Sequence, residues 1–313
     1  GAAVAMAWDR ARQPWDEAAT LDVLDTPLHE VVFPRPVFDE DAKRAQVEKL
    51  TATEWAQPAI GLTSLSYLAL LEDLGGAPSA VAGHSFGEVI ALHAAGMISR
   101  EDAIRIARRR GELMAEAAST PGAMTAVSAP VDTVRARLAE WGSEVVVANH
   151  NGPAQVVLSG PRAAVDDVEA RLAAAKLPFR RLPVATAFHS SVVSASTVPF
   201  AEFLEGIPFG APSRPIYGNT EAAAYPSDPA AARALLANQL ANPVRFVESV
   251  EAMYASGVRV FVEVGPGSVL TGLVGAILAE RLHVAVALDR KNRDGLTSLS
   301  LALGRLVAAG VPI

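Results

Sequence analysis

The sequence has 313 residues and a formal net charge of −7 at pH 7; half of its residues are hydrophobic and none is cysteine. The acidic balance argues against nucleic acid or an anionic membrane as a partner, and the lack of cysteine excludes disulfides, thiolate metal sites and a cysteine nucleophile. Because no apolar run approaches the ~18 residues of a membrane span and no signal segment opens the chain, we expect a soluble, cytoplasmic protein. The six histidines show no metal-ligand spacing, so no metal site is predicted.

The first part of the chain is predicted to be helical. Residues 1–50 are polar, with helical patterns at 5–12 and 39–50, and no strand precedes them, so we expect a piece of something longer. Apolar residues then recur with helical spacing over Thr53–Leu74. The run Gly75-Gly76-Ala77-Pro78 ends this helix.

A serine between two glycines follows, in the run Gly83-His84-Ser85-Phe86-Gly87. It stands after a short apolar run and before an Ala-rich helical pattern, which is the context of a nucleophile elbow. The turn is so tight that we expect a Cβ at either glycine to collide with the neighbouring backbone. The free N–H groups at the start of the helix can stabilise an oxyanion. The pattern therefore favours Ser85 as a nucleophile over a structural turn.

From Gly122 the pattern changes to short strands and helices in the order β-α-β-β-α-β. This order is the split-βαβ, ferredoxin-like plan, and we expect residues 121–186 to form a small subdomain inserted into a main domain of residues 1–120 and 187–313. The predicted strands are Met124–Ala129, Glu144–Ala148, Gln155–Ser159 and Phe179–Ala185, and the predicted helices are Val131–Trp141 and Arg162–Ala175.

In the main domain, strands alternate with helices, which predicts an α/β fold with a mainly parallel sheet covered on both faces. The predicted helices are Asp102–Ala118, Phe200–Leu204, Asp228–Leu240, Phe246–Ser256, Ser268–Glu280 and Asp294–Ala309, and the later strands are Ser213–Tyr217, Val258–Val264 and His283–Leu288. The glycine-rich turn at 265–267 lacks a phosphate-binding fingerprint, so we interpret it as structural.

A serine nucleophile needs a base, which is normally histidine. Position favours His189, because it follows an apolar strand predicted over Leu182–Phe188 at the point where the chain re-enters the main domain. His84 is adjacent to Ser85, so its side chain should point away from the serine. The remaining histidines lie on a helix, on a hairpin loop or in segments without other chemical features: His93, His150, His29 and His283.

Three consecutive arginines lie on the helix predicted over Asp102–Ala118. Arg108 and Arg109 have polar helical neighbours, and Glu112 can pair with either. Arg110 instead falls in the apolar stripe. A buried guanidinium needs an anionic partner or must reach solvent. The residues alone leave three alternatives open: an internal carboxylate such as Glu263, a side chain that extends to the surface, or a substrate carboxylate held bidentately.

Taken together, these features resemble the malonyl-CoA:acyl carrier protein transacylases and the acyltransferase domains of modular and iterative polyketide synthases. The resemblance covers nearly the whole chain and implies an α/β-hydrolase-like core with a ferredoxin-like (βαββαβ) insert. Its markers, in chain order, are GHSFGE (83–88), Arg-Gly-x-Leu-Met (110–114), NGPAQVVLSG (151–160), AFH (187–189), NPVRF (242–246) and EVGPGSVL (263–270).

The resemblance also implies roles for residues at the matching positions. Ser85 would be the nucleophile and His189 its general base. Arg110 matches the arginine that binds the malonyl carboxylate, which favours the substrate among the alternatives above. Gln57 matches an active-site glutamine of the family, and Asn242 would orient the histidine through its backbone carbonyl.

Two further phenylalanines and one departure from the family pattern bear on specificity and catalysis. Phe188 resembles the malonyl-type signature and leaves little room for a methyl branch on the acyl group, although Thr186 departs from that signature. Phe86 would supply the first oxyanion-hole N–H. The family's second donor belongs to an N-terminal strand and a Gly-Gln-Gly turn that this sequence does not contain, so we expect a truncated piece or a donor from elsewhere.

The resemblance implies a ping-pong transfer of malonyl from malonyl-CoA to the phosphopantetheine thiol of an acyl carrier protein in polyketide biosynthesis. The expected partners are malonyl-CoA, a carrier protein and neighbouring synthase domains, with no bound cofactor. Because the chain is acidic, docking of an acidic carrier would need a local basic patch. The alternatives are a serine thioesterase or esterase, and a catalytically impaired structural acyltransferase domain.

Overall fold

The computed structural model describes residues 2–21, 24–184 and 186–313, with side chains from Asp9 onwards. Within these ranges the chain forms a mixed α/β structure. The helices are α1 (Ala2–Ala18), α2 (Leu28–Val32), α3 (Glu40–Thr51), α4 (Thr53–Asp73), α5 (Gly87–Ala94), α6 (Arg100–Glu116), α7 (Val131–Glu140), α8 (Arg162–Ala174), α9 (Thr197–Glu205), α10 (Pro229–Asn238), α11 (Phe246–Ala255), α12 (Val269–Leu278) and α13 (Gly295–Ala308). The strands are β1 (Val81–Ala82), β2 (Gly122–Val127), β3 (Val146–Gly152), β4 (Gln155–Pro161), β5 (Phe179–Arg181), β6 (Ile216–Tyr217), β7 (Val260–Glu263) and β8 (Val284–Ala287).

The strands form three sheets. β1 pairs with β6 and β7 with β8, both in parallel, while the other four strands make an antiparallel sheet in the order β3-β4-β2-β5. The prediction of parallel strands between helices is confirmed at this level. The parallel strands are short, however, and in the described ranges they make two separate pairs and no continuous sheet.

The antiparallel unit has the predicted element order β-α-β-β-α-β, and its helices agree with the prediction to within one residue. The main difference is at its end. β5 stops at Arg181, and no strand runs over the described part of 182–188, because Pro183 has no N–H to donate to a ladder. Ala185, the predicted end of this strand, lies outside the described residues.

The end of β3 is joined to the main domain by backbone hydrogen bonds. Val244 N–H donates to the carbonyl of Ala148 at 2.8 Å, and His150 N–H donates to the carbonyl of Val244 at 2.9 Å. Asn149 and Val244 thus form a parallel β-bridge. This bridge fixes the segment that carries Asn242 and Pro243 against the antiparallel unit.

The helices α4 and α6 pack closely beside the apolar core of the main domain. Leu62 and Leu65 of α4 are buried together with Ile104 of α6. Gly111 allows the two backbones to approach, because a Cβ at this position would lie 2.5 Å from the Cα of Glu54. The close approach sets Gln57 of α4 opposite Arg110 of α6. None of the helices in the described ranges has the length and apolar character needed to cross a bilayer.

We predict that Gly111→Ala lowers the free energy of unfolding by about 3 kcal/mol or more, because the added methyl group must push α4 and α6 apart. Gly304→Ala is the matched control. Gly304 lies inside α13, a Cβ there meets nothing within 4 Å, and helix propensity should add up to about 1 kcal/mol of stability. Denaturant unfolding of both variants measures the difference; equal effects would contradict the close-approach explanation.

Candidate active site

The turn that carries Ser85 has the strained geometry of a nucleophile elbow. Ser85 has a φ of +52°, which L-residues rarely adopt. A Cβ on Gly83 would lie 1.9 Å from the carbonyl carbon of Gly87, so only glycine fits there. The corresponding prediction for Gly87 is wrong: a Cβ at this first residue of α5 meets nothing within 4 Å. The crowding is therefore on the strand side of the turn alone.

Ser85 and His189 lie within hydrogen-bond distance. Ser85 Oγ is 2.7 Å from His189 Nε2. On the other side of the ring, His189 Nδ1 lies 3.0 Å from the carbonyl oxygen of Asn242 and 3.1 Å from that of Gln239. Both carbonyls accept, so Nδ1 must carry the proton and Nε2 presents its lone pair to the serine. Two backbone carbonyls thus orient the imidazole, where sequence reasoning named only that of Asn242.

His189 is buried, and burial is the main reason why its pKa is lowered to about 3. The positive charge of Arg110 lowers this pKa further, as does His84, while the carbonyls of Gln239 and Asn242 act in the opposite direction. At neutral pH the imidazole is therefore uncharged. An uncharged imidazole is the form that can accept a proton from Ser85.

Arg110 lies on the buried face of α6, as predicted, with 1% of its surface exposed. Its Nη2 donates to Ser85 Oγ at 3.2 Å and to Gln239 Oε1 at 3.0 Å, and its Nη1 donates to Gln57 Oε1 at 2.8 Å. Nη1 also contacts the sulfur of Met114 at 3.2 Å. Every one of these partners is neutral, and Arg110 Nε has no partner in the described part of the structure.

No carboxylate among the described residues forms an ion pair with Arg110, whereas Arg108 and Arg109 both pair with Glu112. The alternative that Glu263 compensates this charge is wrong. The Glu263 carboxylate accepts from the N–H groups of Leu270 and Thr271 and so caps α12. Burial lowers the pKa of Arg110 to about 10, so the guanidinium remains charged at neutral pH.

Two buried residues that the sequence reasoning missed fix the elbow. Asn219, two residues after the end of β6, accepts from Ser85 N–H at 2.6 Å and donates to the carbonyl of Gly83 at 2.8 Å. Its own N–H donates to the buried carboxylate of Glu88, which also accepts from Tyr225. Burial raises the pKa of Glu88. Because Asn219 occupies the Ser85 N–H, that group cannot serve in an oxyanion hole.

Gln239 is the other missed residue, and it contacts four of the predicted site residues, including Asn242, whose N–H donates to its carbonyl at 3.3 Å. In addition to Arg110 and His189, it reaches the backbone carbonyl of Ser85, to which its Nε2 donates at 2.6 Å. The reasoning applied to Arg110 could have found it. Gln239 follows Leu235 and Leu236 at helical spacing, so a polar side chain on an apolar face needs a partner there.

The phenylalanines lie on two sides of the site. The ring of Phe86 packs against α4, where a Cβ on Gly61 would lie 3.0 Å from Phe86 Cζ. Within the described residues, the Phe86 N–H at the start of α5 donates no hydrogen bond, which leaves it free for a substrate oxygen. Phe188 packs, half-buried, against the apolar core beside α5. Thr186 is buried, and its Oγ1 lies 3.4 Å from the carbonyl of Ala117.

The other histidines have partners away from Ser85 Oγ. His84 has its partner away from the serine hydroxyl, as expected: its Nε2 lies 2.7 Å from Asn151 Oδ1 in β3. His29 is exposed. The remaining contacts are His93 with the carbonyl of Ile98, His150 with Glu248 and His283 with the carbonyl of Arg281. No group of His, Asp or Glu in the described ranges is arranged to hold a metal ion.

Comparison with known proteins gives one consistent family. The model of the acyl transferase domain family matches residues 2–311. The chain is 34% identical over 284 residues to the malonyl CoA-acyl carrier protein transacylase of Bacillus subtilis, covering 88% of this chain and 85% of that protein. It is 38% identical over 265 residues to the polyketide synthase GfsA of Streptomyces halstedii, covering 84% of this chain but only 4% of the synthase.

Solved structures agree. The acyltransferase domain from the second module of the salinomycin polyketide synthase superposes with a TM-score of 0.86 at 34% identity, covering 99% of this chain and 70% of that one. The malonyl-transacylase PlMCAT, solved in complex with the acyl carrier protein AntF, gives a TM-score of 0.83 at 34% identity. That match covers 97% of this chain and 94% of the transacylase chain.

The asymmetry of the elbow leads to a prediction about its two glycines. We expect Gly83→Ala to lower the free energy of unfolding by about 3 kcal/mol or more, since its methyl group would overlap the backbone of α5. Gly87→Ala, with open space around its Cβ, should stay within about 1 kcal/mol of the parent. Chemical unfolding curves of the two variants test this, and similar losses in both would show that the crowding is symmetric after all.

Proposed function

Because the chain belongs to the acyl transferase domain family and is an acyltransferase, we propose that it moves malonyl from malonyl-CoA to the phosphopantetheine thiol of an acyl carrier protein. The observation that carries this proposal is the buried guanidinium of Arg110, which lies 3.2 Å from Ser85 Oγ and forms no ion pair with a carboxylate of the described residues. An acyl chain that ends in a carboxylate would supply the missing charge at the right distance from the serine.

The first half-reaction acylates Ser85. His189 Nε2 takes the hydroxyl proton as Oγ attacks the thioester carbon, and the resulting oxyanion lies at the N-terminus of α5 near the N–H of Phe86. The C–S bond then breaks, and CoA leaves as a thiol with the proton that His189 returns. The product is a malonyl ester of Ser85.

The second half-reaction reverses these roles. The phosphopantetheine thiol of the carrier gives its proton to His189 and attacks the ester carbon. Ser85 leaves and recovers the proton from His189, so the enzyme returns to its starting state. A ping-pong sequence with a serine–histidine dyad follows, and no carboxylate is needed to orient the base because two backbone carbonyls already do so.

The Arg110 guanidinium would select the substrate by charge. The carboxylate of malonyl-CoA pairs with the guanidinium, whereas acetyl-CoA leaves the buried cation without this anion. The difference favours malonyl-CoA over acetyl-CoA. An anion beside Arg110 also offsets part of its effect on the pKa of His189, so the correct substrate makes the base stronger. Gln57 would keep the guanidinium in place, and Phe188 would limit branching beside the acyl carbonyl.

The proposal extends to architecture and partners. We interpret the antiparallel unit as a ferredoxin-like subdomain, supported by its β3-β4-β2-β5 order and its two helices. The rest would be an α/β-hydrolase-like core, supported by the elbow after β1. Relatives named as polyketide synthases and a relative solved with a carrier protein support a carrier and neighbouring synthase domains as partners, in polyketide or fatty acid biosynthesis.

Acyl loading tests the function directly. We expect malonyl-CoA to give a stable adduct on Ser85, seen by intact mass, and acetyl-CoA to load at least about 10-fold more slowly, because it leaves Arg110 unpaired. Ser85→Ala should give no adduct, and Arg110→Ala should lose the preference for malonyl. Arg105→Ala, at a surface arginine of the same helix, is the control.

The alternatives make different predictions in the same assay. Rapid release of malonate without an accumulating adduct would favour a thioesterase or esterase. No reaction with either thioester would favour a catalytically impaired structural domain. Equal loading of both acyl groups by the parent protein would contradict selection by Arg110.

The pH dependence of malonyl loading tests the role of His189. Its pKa is lowered to about 3, so the uncharged base is present far below the usual value near 6.5. We expect the rate of Ser85 acylation by malonyl-CoA well below saturation, which reports the pKa of the free enzyme, to stay level from about pH 8 down to about pH 5. A fall centred on pH 6.5 in stopped-flow loading, with the fold intact by circular dichroism, would contradict this.

A further inference from the structure

Two glutamines hold the buried guanidinium of Arg110 from opposite sides. Gln57 comes from α4 and accepts from Nη1, whereas Gln239 follows α10 and accepts from Nη2. Both are buried, with 6% and 1% of their surfaces exposed. An amide oxygen can accept a charge-assisted hydrogen bond without carrying a charge of its own. The guanidinium is thus fixed in direction while its charge stays unneutralised.

The orientation of the Gln239 amide follows from its hydrogen bonds to Arg110 and to the backbone of Ser85. Arg110 can only donate, so it must face Oε1; the Ser85 carbonyl can only accept, so it must face Nε2. One planar group therefore links the arginine to the backbone of the nucleophile. A carboxylate in this place would put an oxygen against the Ser85 carbonyl, and an apolar side chain would leave Nη2 without this acceptor.

The carboxylate of Glu88 cannot replace Gln239 as the hydrogen-bond acceptor for Arg110. Glu88 acts on Arg110 electrostatically, but its oxygens already accept from the Asn219 N–H and from the Tyr225 hydroxyl. Direct contact with Arg110 is left to neutral groups. Glu88 therefore stabilises the charge of Arg110 without a hydrogen bond to it, and in the described residues the guanidinium beside Ser85 Oγ donates to neutral acceptors.

We propose that Gln239 is a specificity-determining positioning residue, whose neutral amide aims the Arg110 guanidinium at Ser85 Oγ and leaves its charge for the carboxylate of the acyl group. This inference rests on the proposed function, because it assigns the selectivity of that same site. It adds that the neutrality of the acceptor matters as much as its hydrogen bond.

Two substitutions separate charge from hydrogen bonding. Gln239→Glu keeps an acceptor for Arg110 but neutralises its charge, so malonyl loading should fall at least about 30-fold and the malonyl-to-acetyl ratio of loading rates should collapse. Gln239→Met has a similar size and no charge; its malonyl loading should fall about 10-fold, with the ratio largely retained. Both keep the backbone carbonyl that orients His189.

The measurement is the single-turnover rate of Ser85 acylation by malonyl-CoA and by acetyl-CoA, followed by intact mass. Gln155→Glu makes the same charge change at an exposed position at the start of β4 and should match the parent. Gln57→Glu neutralises Arg110 from the other side, so it should also lower the malonyl-to-acetyl ratio of loading rates. This variant tests the effect of a charged acceptor if Gln239→Glu does not fold.

The outcomes distinguish a failure of the proposed role of Gln239 from a failure of the proposed malonyl transfer. A parent protein that loads malonyl selectively while Gln239→Glu, or Gln57→Glu in its place, keeps the same ratio would overturn the inference and leave the function intact. A ratio in Gln239→Met as low as in Gln239→Glu would overturn the role of neutrality. A parent protein without preference for malonyl would overturn both.

Discussion

The buried positive charge of Arg110 is the constraint on which the arrangement of the site depends. A guanidinium with 1% exposure, and with no ion-paired carboxylate among the described residues, carries a desolvation cost of several kcal/mol. Part of this cost is offset by hydrogen bonds to Gln57 and Gln239. The same charge lowers the pKa of His189, so in the proposed mechanism the selectivity for the substrate and the strength of the base share one origin. A substrate anion would act on both at once.

The nucleophile depends on a second constraint, the left-handed backbone of Ser85. Such a conformation costs energy and persists only where the surroundings determine it. Here Gly83 gives the space, and Asn219 bonds both the N–H of Ser85 and the carbonyl of Gly83 across the β1–β6 pair. Glu88 in turn accepts from the Asn219 N–H within the core, and the Tyr225 hydroxyl donates to Glu88. The strained turn is therefore supported by groups that never face a substrate.

Local sequence patterns predicted much of this arrangement. Helical spacing placed Arg110 on the buried face of its helix, and the glycine–serine pattern located the elbow. The element order of the antiparallel unit also followed from alternating apolar runs. The apolar pattern over Leu182–Phe188 predicts a strand that the described residues do not form, because Pro183 interrupts the ladder. The prediction that a Cβ at Gly87 collides with the backbone is also wrong, because the crowding of the turn depends on which side faces the neighbouring helix.

Long-range contacts could not be predicted in this way. Asn219 lies 134 residues from Ser85, and Gln239 lies 154 from it. The apolar face around Gln239 indicates that its side chain needs a partner, but no local pattern shows that the partner of either residue is Ser85. Sequence reasoning also attributed the orientation of His189 to Asn242 alone, through a family resemblance. The second carbonyl, from Gln239, depends on how the chain turns after α10, which is a property of the folded structure.

The bridge between β3 and Val244 has a consequence for how this architecture can be recombined. Through that bridge the antiparallel unit supports the segment whose carbonyl at Asn242 orients the base. The antiparallel unit is thus joined by backbone hydrogen bonds to the segment that contacts His189, although it is well separated in sequence from Ser85. In natural or engineered chimeras, residues 148–150 and 242–244 must come from the same protein, or from two proteins whose backbones can form this bridge.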